Sequence, residues 1–140
     1  MGAAFFIIED NLADIELLSE ACREVGFAVD WTTASDGVAA LDTLEKIPAG
    51  SEPQLILLDL NLPKLKGAEV LVRLKAMPRL EHVPVVILTS SSSPVDRNRC
   101  MMADAFLAKS ATWNEFLDLA RDLQQFAKTG VIARSQNSGT

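Results

Sequence analysis

The stretch Leu55-Ile56-Leu57-Leu58-Asp59-Leu60-Asn61-Leu62-Pro63 decides the fold. Its first four residues are an unbroken apolar run of strand length, which suits a parallel strand covered on both faces. An acid follows at once. In open parallel sheets, ligands bind beyond the carboxyl ends of the strands, near the point where strand order reverses, so Asp59 stands where chemistry is expected.

Similar runs lie on either side of this stretch, at residues 4–8, 27–32, 83–88 and 105–108. Between them fall helical stripes. One is Leu12, Ile15, Leu18, Cys22 and Val25; another is Val38, Leu41, Leu44 and Ile47; a third is Val70, Leu71 and Leu74. The last is Trp113, Phe116, Leu117, Ala120 and Leu123. Asn11 can cap the first helix, with Asp14 in its opening turn, and Gly26 stands where that helix should stop. Ser35 can start the second helix, Pro48-Ala49-Gly50-Ser51 marks a loop, and Pro84 suits the first residue of a strand. Strands alternating with helices predict an α/β, doubly wound sheet.

The bulk properties agree. With 140 residues, 49% apolar and 23% charged, the chain suits one globular domain. We place that domain at residues 1–128, with a small, polar and aperiodic tail at 129–140. A net charge of −6 and a pI near 4.7 argue against nucleic acid and anionic membranes as partners. The apolar start at residues 3–8 is too short to span a bilayer. Cys22 and Cys100 match no metal or redox spacing and read as small buried residues in a reducing cytoplasm. The single histidine, His82, precedes Val83-Pro84 in a loop, so it is no phospho-donor of the kinase type.

Residues just beyond the strands carry the chemistry: Glu9 and Asp10, then Asp59 with Asn61, then Thr89 and Ser90, then Lys109. Taken singly, each has a plain structural explanation as a cap, turn or surface residue. Together they bring three carboxylates, a hydroxyl and an ammonium to one sheet edge. Three carboxylates in one crevice call for a hard divalent cation, Mg²⁺ or Mn²⁺. One of them can then attack phosphorus, with Lys109 and Thr89 meeting the transferred oxygens.

At these residues the sequence resembles the receiver domains of two-component response regulators. The likeness rests on Ile7-Ile8-Glu9-Asp10-Asn11, on Leu57-Leu58-Asp59-Leu60-Asn61-Leu62-Pro63 with Gly67, on Pro84-Val85-Val86-Ile87-Leu88-Thr89-Ser90, and on Lys109 with Phe106. It spans about residues 3 to 128. It implies a flavodoxin-like (βα)5 sandwich with strand order 2-1-3-4-5, receiving a phosphoryl group from a histidine kinase or phosphotransfer protein. Asp59 corresponds to the phospho-acceptor. Asp10 and Asp59 correspond to direct ligands of Mg²⁺, Glu9 to a ligand through water, and Asn61 to the backbone carbonyl completing the site. Thr89 and Phe106 correspond to the switch pair, and Lys109 to the phosphate partner. The stretch from Asp59 to Lys64 and the Lys109-Ser110-Ala111 ending look like the single-domain regulators that partner bacterial phytochromes.

There are departures. Glu9 replaces the commoner aspartate. Ser110 follows Lys109 where most of the family has a cis proline, and a cis bond to a non-proline residue costs about 3–4 kcal/mol. Met101-Met102-Ala103-Asp104 replaces a glycine before the fifth strand. Phosphorylation is expected to draw Thr89 inward and let Phe106 turn in, altering the surface made by the helix before the fifth strand, that strand and the last helix (the family's α4-β5-α5). Leu119 and Phe126 look surplus to the last helix's inward stripe and, with Trp113, Met101 and Met102, suggest a homodimer there. An output region is not visible, so signalling is expected through protein contacts or a phosphorelay. An adaptor that is never phosphorylated is one alternative. A flavodoxin-type cofactor carrier is another, against which Glu9 and Asp10 repel a phosphate after the first strand.

Overall fold

The computed structural model describes residues 2–90, 100 and 102–131. Strands β1 (Ala3–Ile8), β2 (Val29–Ala34), β3 (Leu55–Asp59), β4 (Val85–Thr89) and β5 (Ala105–Ala108) form one parallel sheet ordered β2-β1-β3-β4-β5. Helices α1 (Leu12–Glu24), α2 (Gly37–Lys46), α3 (Gly67–Lys75) and α4 (Trp113–Thr129) cover it on both sides. This is the expected doubly wound, flavodoxin-like order.

The period of two along each strand divides the core into two layers. Phe6, Ile8, Ile56, Leu58, Ile87 and Phe106 face α2 and α3. Phe5, Ile7, Leu55, Leu57, Leu88 and Leu107 face α1 and α4. Because both faces are covered, β3 and β4 are buried at every residue.

Several boundaries differ from expectation. β2 begins at Val29, because the Phe27 N–H still donates to Cys22 O at 2.8 Å and closes the exit from α1. β4 begins at Val85, after a turn in which Val83 N–H donates to Leu80 O. Pro84 just precedes it and accepts from Ile56 N–H. The cap of α2 is Asp36, not Ser35; its carboxylate accepts from Ala39 N–H at 2.7 Å. Asn11 caps α1 as expected, accepting from the Ala13 and Asp14 N–H groups, and Gly26 follows that helix with φ +75°.

Three stripe residues lie outside the core: Leu12 is 69% exposed, Val38 54% and Trp113 41%. The largest correction concerns α4. Leu119 and Phe126 are buried rather than surplus. Measured from Phe116, both fall within a quarter turn of the inward direction, and Phe126 packs edge-on against Phe5 at 6.3 Å. Trp113 and Met102 remain exposed, while Met101 lies outside the described residues. So does most of the proposed tail, from residue 132 onward.

Candidate functional site

Sheet register assembles the site. Ile8 pairs with Leu58, so Glu9 and Asp10 leave β1 beside Asp59 at the end of β3. Glu9 N–H donates to Ala34 O at the end of β2. On the other flank, Thr89 pairs with Ala108, and Lys109 N–H donates to Thr89 O at 3.0 Å. β1 lies between β2 and β3, so the connections after β1 and β3 depart to opposite faces and leave a crevice over the acids.

Ligand oxygens of Glu9, Asp10 and Asp59 lie within 4.8 Å of one another. Glu9 and Asp59 are buried and Asp10 is exposed. Lys109 Nζ stands 3.1 Å from Glu9 Oε1, 3.4 Å from Asp59 Oδ2 and 3.8 Å from Asp14 Oδ2. Burial, and then repulsion from Asp59, push the Glu9 carboxyl up to about 7, although Lys109 and the Asn11 N–H oppose the shift. Burial alone would lower the Lys109 pKa, but Glu9 and Asp59 outweigh it and hold the ammonium above its ordinary value. Three hard oxygen donors, one of them driven toward protonation by burial and by its neighbour's charge, form a site that a divalent cation relieves, and the set fits Mg²⁺ or Mn²⁺.

The loop after β3 is held from several sides. Asn61 N–H donates to Asp59 Oδ1 at 3.1 Å, leaving Oδ2 toward Lys109. Gly67 is required by packing, since a Cβ there would lie 2.6 Å from Asp59 O and 2.8 Å from Leu60 Cα. Lys64 takes φ +66° in a tight turn closed by Leu65 N–H to Pro63 O, and its Nζ lies 3.4 Å from Asp36 Oδ2.

Thr89 and Phe106 are both buried. Ile87 is two residues before Thr89 and opposite Phe106, so the pair shares the face toward α2 and α3. The Phe106 ring is already part of that core. No cis peptide occurs among the described residues, so Lys109–Ser110 is trans. A capping box holds this loop instead: Glu115 Oε1 accepts from Ala111 N–H at 2.7 Å and Thr112 N–H at 3.2 Å, while Thr112 Oγ1 accepts from Glu115 N–H.

All seven expected residues, Glu9, Asp10, Asp59, Asn61, Thr89, Phe106 and Lys109, therefore gather at or beneath one end of the sheet. From sequence alone Asp14 reads only as a helix-start acid, yet it reaches Lys109. Leu18, buried one turn later, was the available signal that Asp14 shares α1's inward side. The Asp36–Lys64 pair carried no such signal, because it joins two loops.

Comparison with known proteins agrees with this geometry. Residues 5–121 match the family described as the response regulator receiver domain. Response regulator Rcp1 of a Synechocystis species is 32% identical over 125 residues, covering 86% of this chain and 85% of Rcp1. The Mn²⁺-bound structure of Rcp1 superposes with a TM-score of 0.78, at 31% identity over 92% of this chain and 96% of that one. The phosphorylated cyanobacterial phytochrome response regulator RcpA gives a TM-score of 0.82 at 32% identity, covering 94% and 97%. The "Probable methanogenesis regulatory protein FilR2" of Methanothrix harundinacea is 35% identical over 126 residues, 86% of this chain and 80% of its own.

Proposed function

The chain belongs to the response regulator receiver domain family, and from that premise we propose that it is a phosphorylatable switch with Asp59 as acceptor. The donor is a phosphohistidine on a histidine kinase or phosphotransfer protein. The observation that carries this reading is the convergence of Lys109 Nζ on Asp59 Oδ2 at 3.4 Å and Glu9 Oε1 at 3.1 Å. That places a fixed positive charge beside a buried, ionisable nucleophile.

An ionised oxygen of Asp59 forms a bond to phosphorus while the phosphorus–nitrogen bond of the donor breaks. The electron pair of that bond stays on the nitrogen that carried phosphorus, and the ring leaves as neutral imidazole because its other nitrogen holds a proton. Asp10 and Asp59, with Glu9 through water and the Asn61 carbonyl, would hold Mg²⁺ or Mn²⁺, which when bound offsets charge on the phosphoryl oxygens. Lys109 meets one of those oxygens and the Thr89 hydroxyl donates to another. The product adds roughly −1.5 to −2 of charge at Asp59. Thr89 follows it, and because Phe106 is already inside, the readout is a repacking within the core around that ring. Only slow self-phosphorylation and self-dephosphorylation accompany this role.

The likeness to RcpA, a cyanobacterial phytochrome response regulator, supports a phytochrome-type sensor kinase as the upstream partner. We place the exchange in the cytoplasm; among the described residues no helix is long and apolar enough to cross a membrane. The signal leaves through protein contacts or onward transfer. Self-association is proposed on narrower ground than the sequence suggested, namely exposed Trp113 and Met102; a monomer by light scattering, phosphorylated or not, removes it.

The deciding experiment is incubation with Mg²⁺ and acetyl phosphate, followed by intact mass. The wild type should gain one phosphoryl group and Asp59→Asn none. Equal uptake by both, or by neither, refutes the assignment.

A further inference from the structure

Lys109 faces three carboxylates, and only two of them belong to the acidic crevice. The third, Asp14, is absent from the set of oxygens that could share a cation, which comprises Glu9, Asp10 and Asp59. It approaches the ammonium from the flank between α1 and α4, where a narrow cleft lined by Ile7, Asp14, Leu18, Lys109 and Phe116 adjoins the crevice at Glu9. Asp14 is partly shielded there, its side chain 28% exposed beside Lys109 at 25%. The start of α1 does not depend on its side chain, since Asn11 supplies the capping oxygen.

We propose that Asp14 is a positioning residue for Lys109, an outer counter-charge that draws the ammonium off Asp59 when the crevice takes up a divalent cation. The inference rests on the reading of the site given above. Lys109 now divides its N–H groups between Glu9 and Asp59, both members of the acidic cluster. A cation entering that cluster repels the ammonium. At 3.8 Å, Asp14 Oδ2 lies just beyond hydrogen-bond length, so a small outward rotation of Lys109 converts an ion pair into a direct bond. Without the Asp14 charge, the ammonium keeps, among the described residues, only acidic partners that belong to the crevice, and it competes for Asp59. Loss of a nearby negative charge acts in the same direction, so the sign of the effect is fixed.

The test is calorimetric titration with Mg²⁺ alone, at constant ionic strength, for the wild type, Asp14→Asn, Asp14→Glu, Lys109→Met and the Asp14→Asn/Lys109→Met double variant. Asp14→Asn should raise the Kd for Mg²⁺ about three- to tenfold. Asp14→Glu, which keeps the charge, should stay within about twofold of wild type. In the Lys109→Met background the same Asp14→Asn change should cost less than about twofold, because only a screened, longer-range interaction remains. An equal loss in both backgrounds, no loss in the wild-type background, or failure of Asp14→Glu to retain affinity overturns the inference. A wild type that binds no Mg²⁺ and takes up no phosphoryl group overturns the reading of the whole site, whereas normal wild-type binding with an unaltered Asp14→Asn Kd sinks this inference alone.

Discussion

Replacing Glu9 with glutamine should stabilise the cation-free protein at pH 8 and do little at pH 5. In the folded chain the carboxyl titrates near 7, against an ordinary value of 4.5. The folded state therefore binds more protons than the unfolded state between those values. Stability contributed by the protonated group is present below about 4.5 and is lost as the pH rises toward 7 and just beyond. From pH 5 to pH 8 the loss amounts to about 2 kcal/mol, because each tenfold change in proton affinity is worth about 1.4 kcal/mol. Glutamine cannot ionise, so its own contacts cancel when the two pH values are compared. The assay is urea unfolding of both proteins with chelator present. The gap between variant and wild type should open by about 2 kcal/mol in the variant's favour on going to pH 8. Saturating Mg²⁺ at pH 8 should then narrow it, since a ligand of the folded state stabilises the tighter binder more. A gap that is the same at both pH values would show that burial of Glu9 beside Asp59 does not bear on stability, and the electrostatic account of the crevice would fall.

Other consequences are simpler to check. Gly67→Ala places a Cβ against Asp59 O and Leu60 Cα and should cost about 1–3 kcal/mol in urea unfolding, with slower phosphoryl uptake because Asp59 must shift. Asn11→Ala removes the acceptor for two N–H groups of α1 and should cost about 1 kcal/mol of stability, read by the same method. Burial raises the Cys22 thiol to about 12, and Cys100 is equally buried. Neither should react with a disulfide reagent at pH 8 until denaturant is added, after which two thiols should titrate.

The fold was legible because parallel strands buried on both faces leave unbroken apolar runs, and β3, β4 and β5 were found where those runs occur. Ends were less legible where a neighbour decides them: Phe27 is as apolar as a strand residue but bonds back to α1, and Asp36 wins the cap from Ser35 by one position. The inward direction of α4 is hard to read because Trp113 and Leu117 tilt the apparent stripe about a sixth of a turn away from the one that packs. Most of the candidate site residues could be read because they stand at or just beyond the carboxyl end of a strand. Asp14 and the Asp36–Lys64 pair could not, because their partners come from elements whose relative placement only the folded chain settles.

The separation of the site residues along the chain also bears on synthesis. Lys109 lies 50 residues beyond Asp59, and Asp59 a further 50 beyond Glu9. A ribosome delivers the acids first, whereas a domain folds as a unit and so waits for its last strand and helix. Until β5 docks beside β4, the carboxylates at the ends of β1 and β3 repel one another with no ammonium between them. On the proposed function, competence to accept a phosphoryl group would therefore require completed folding. A chain cut short before Lys109 would then compete poorly for a phosphoryl donor.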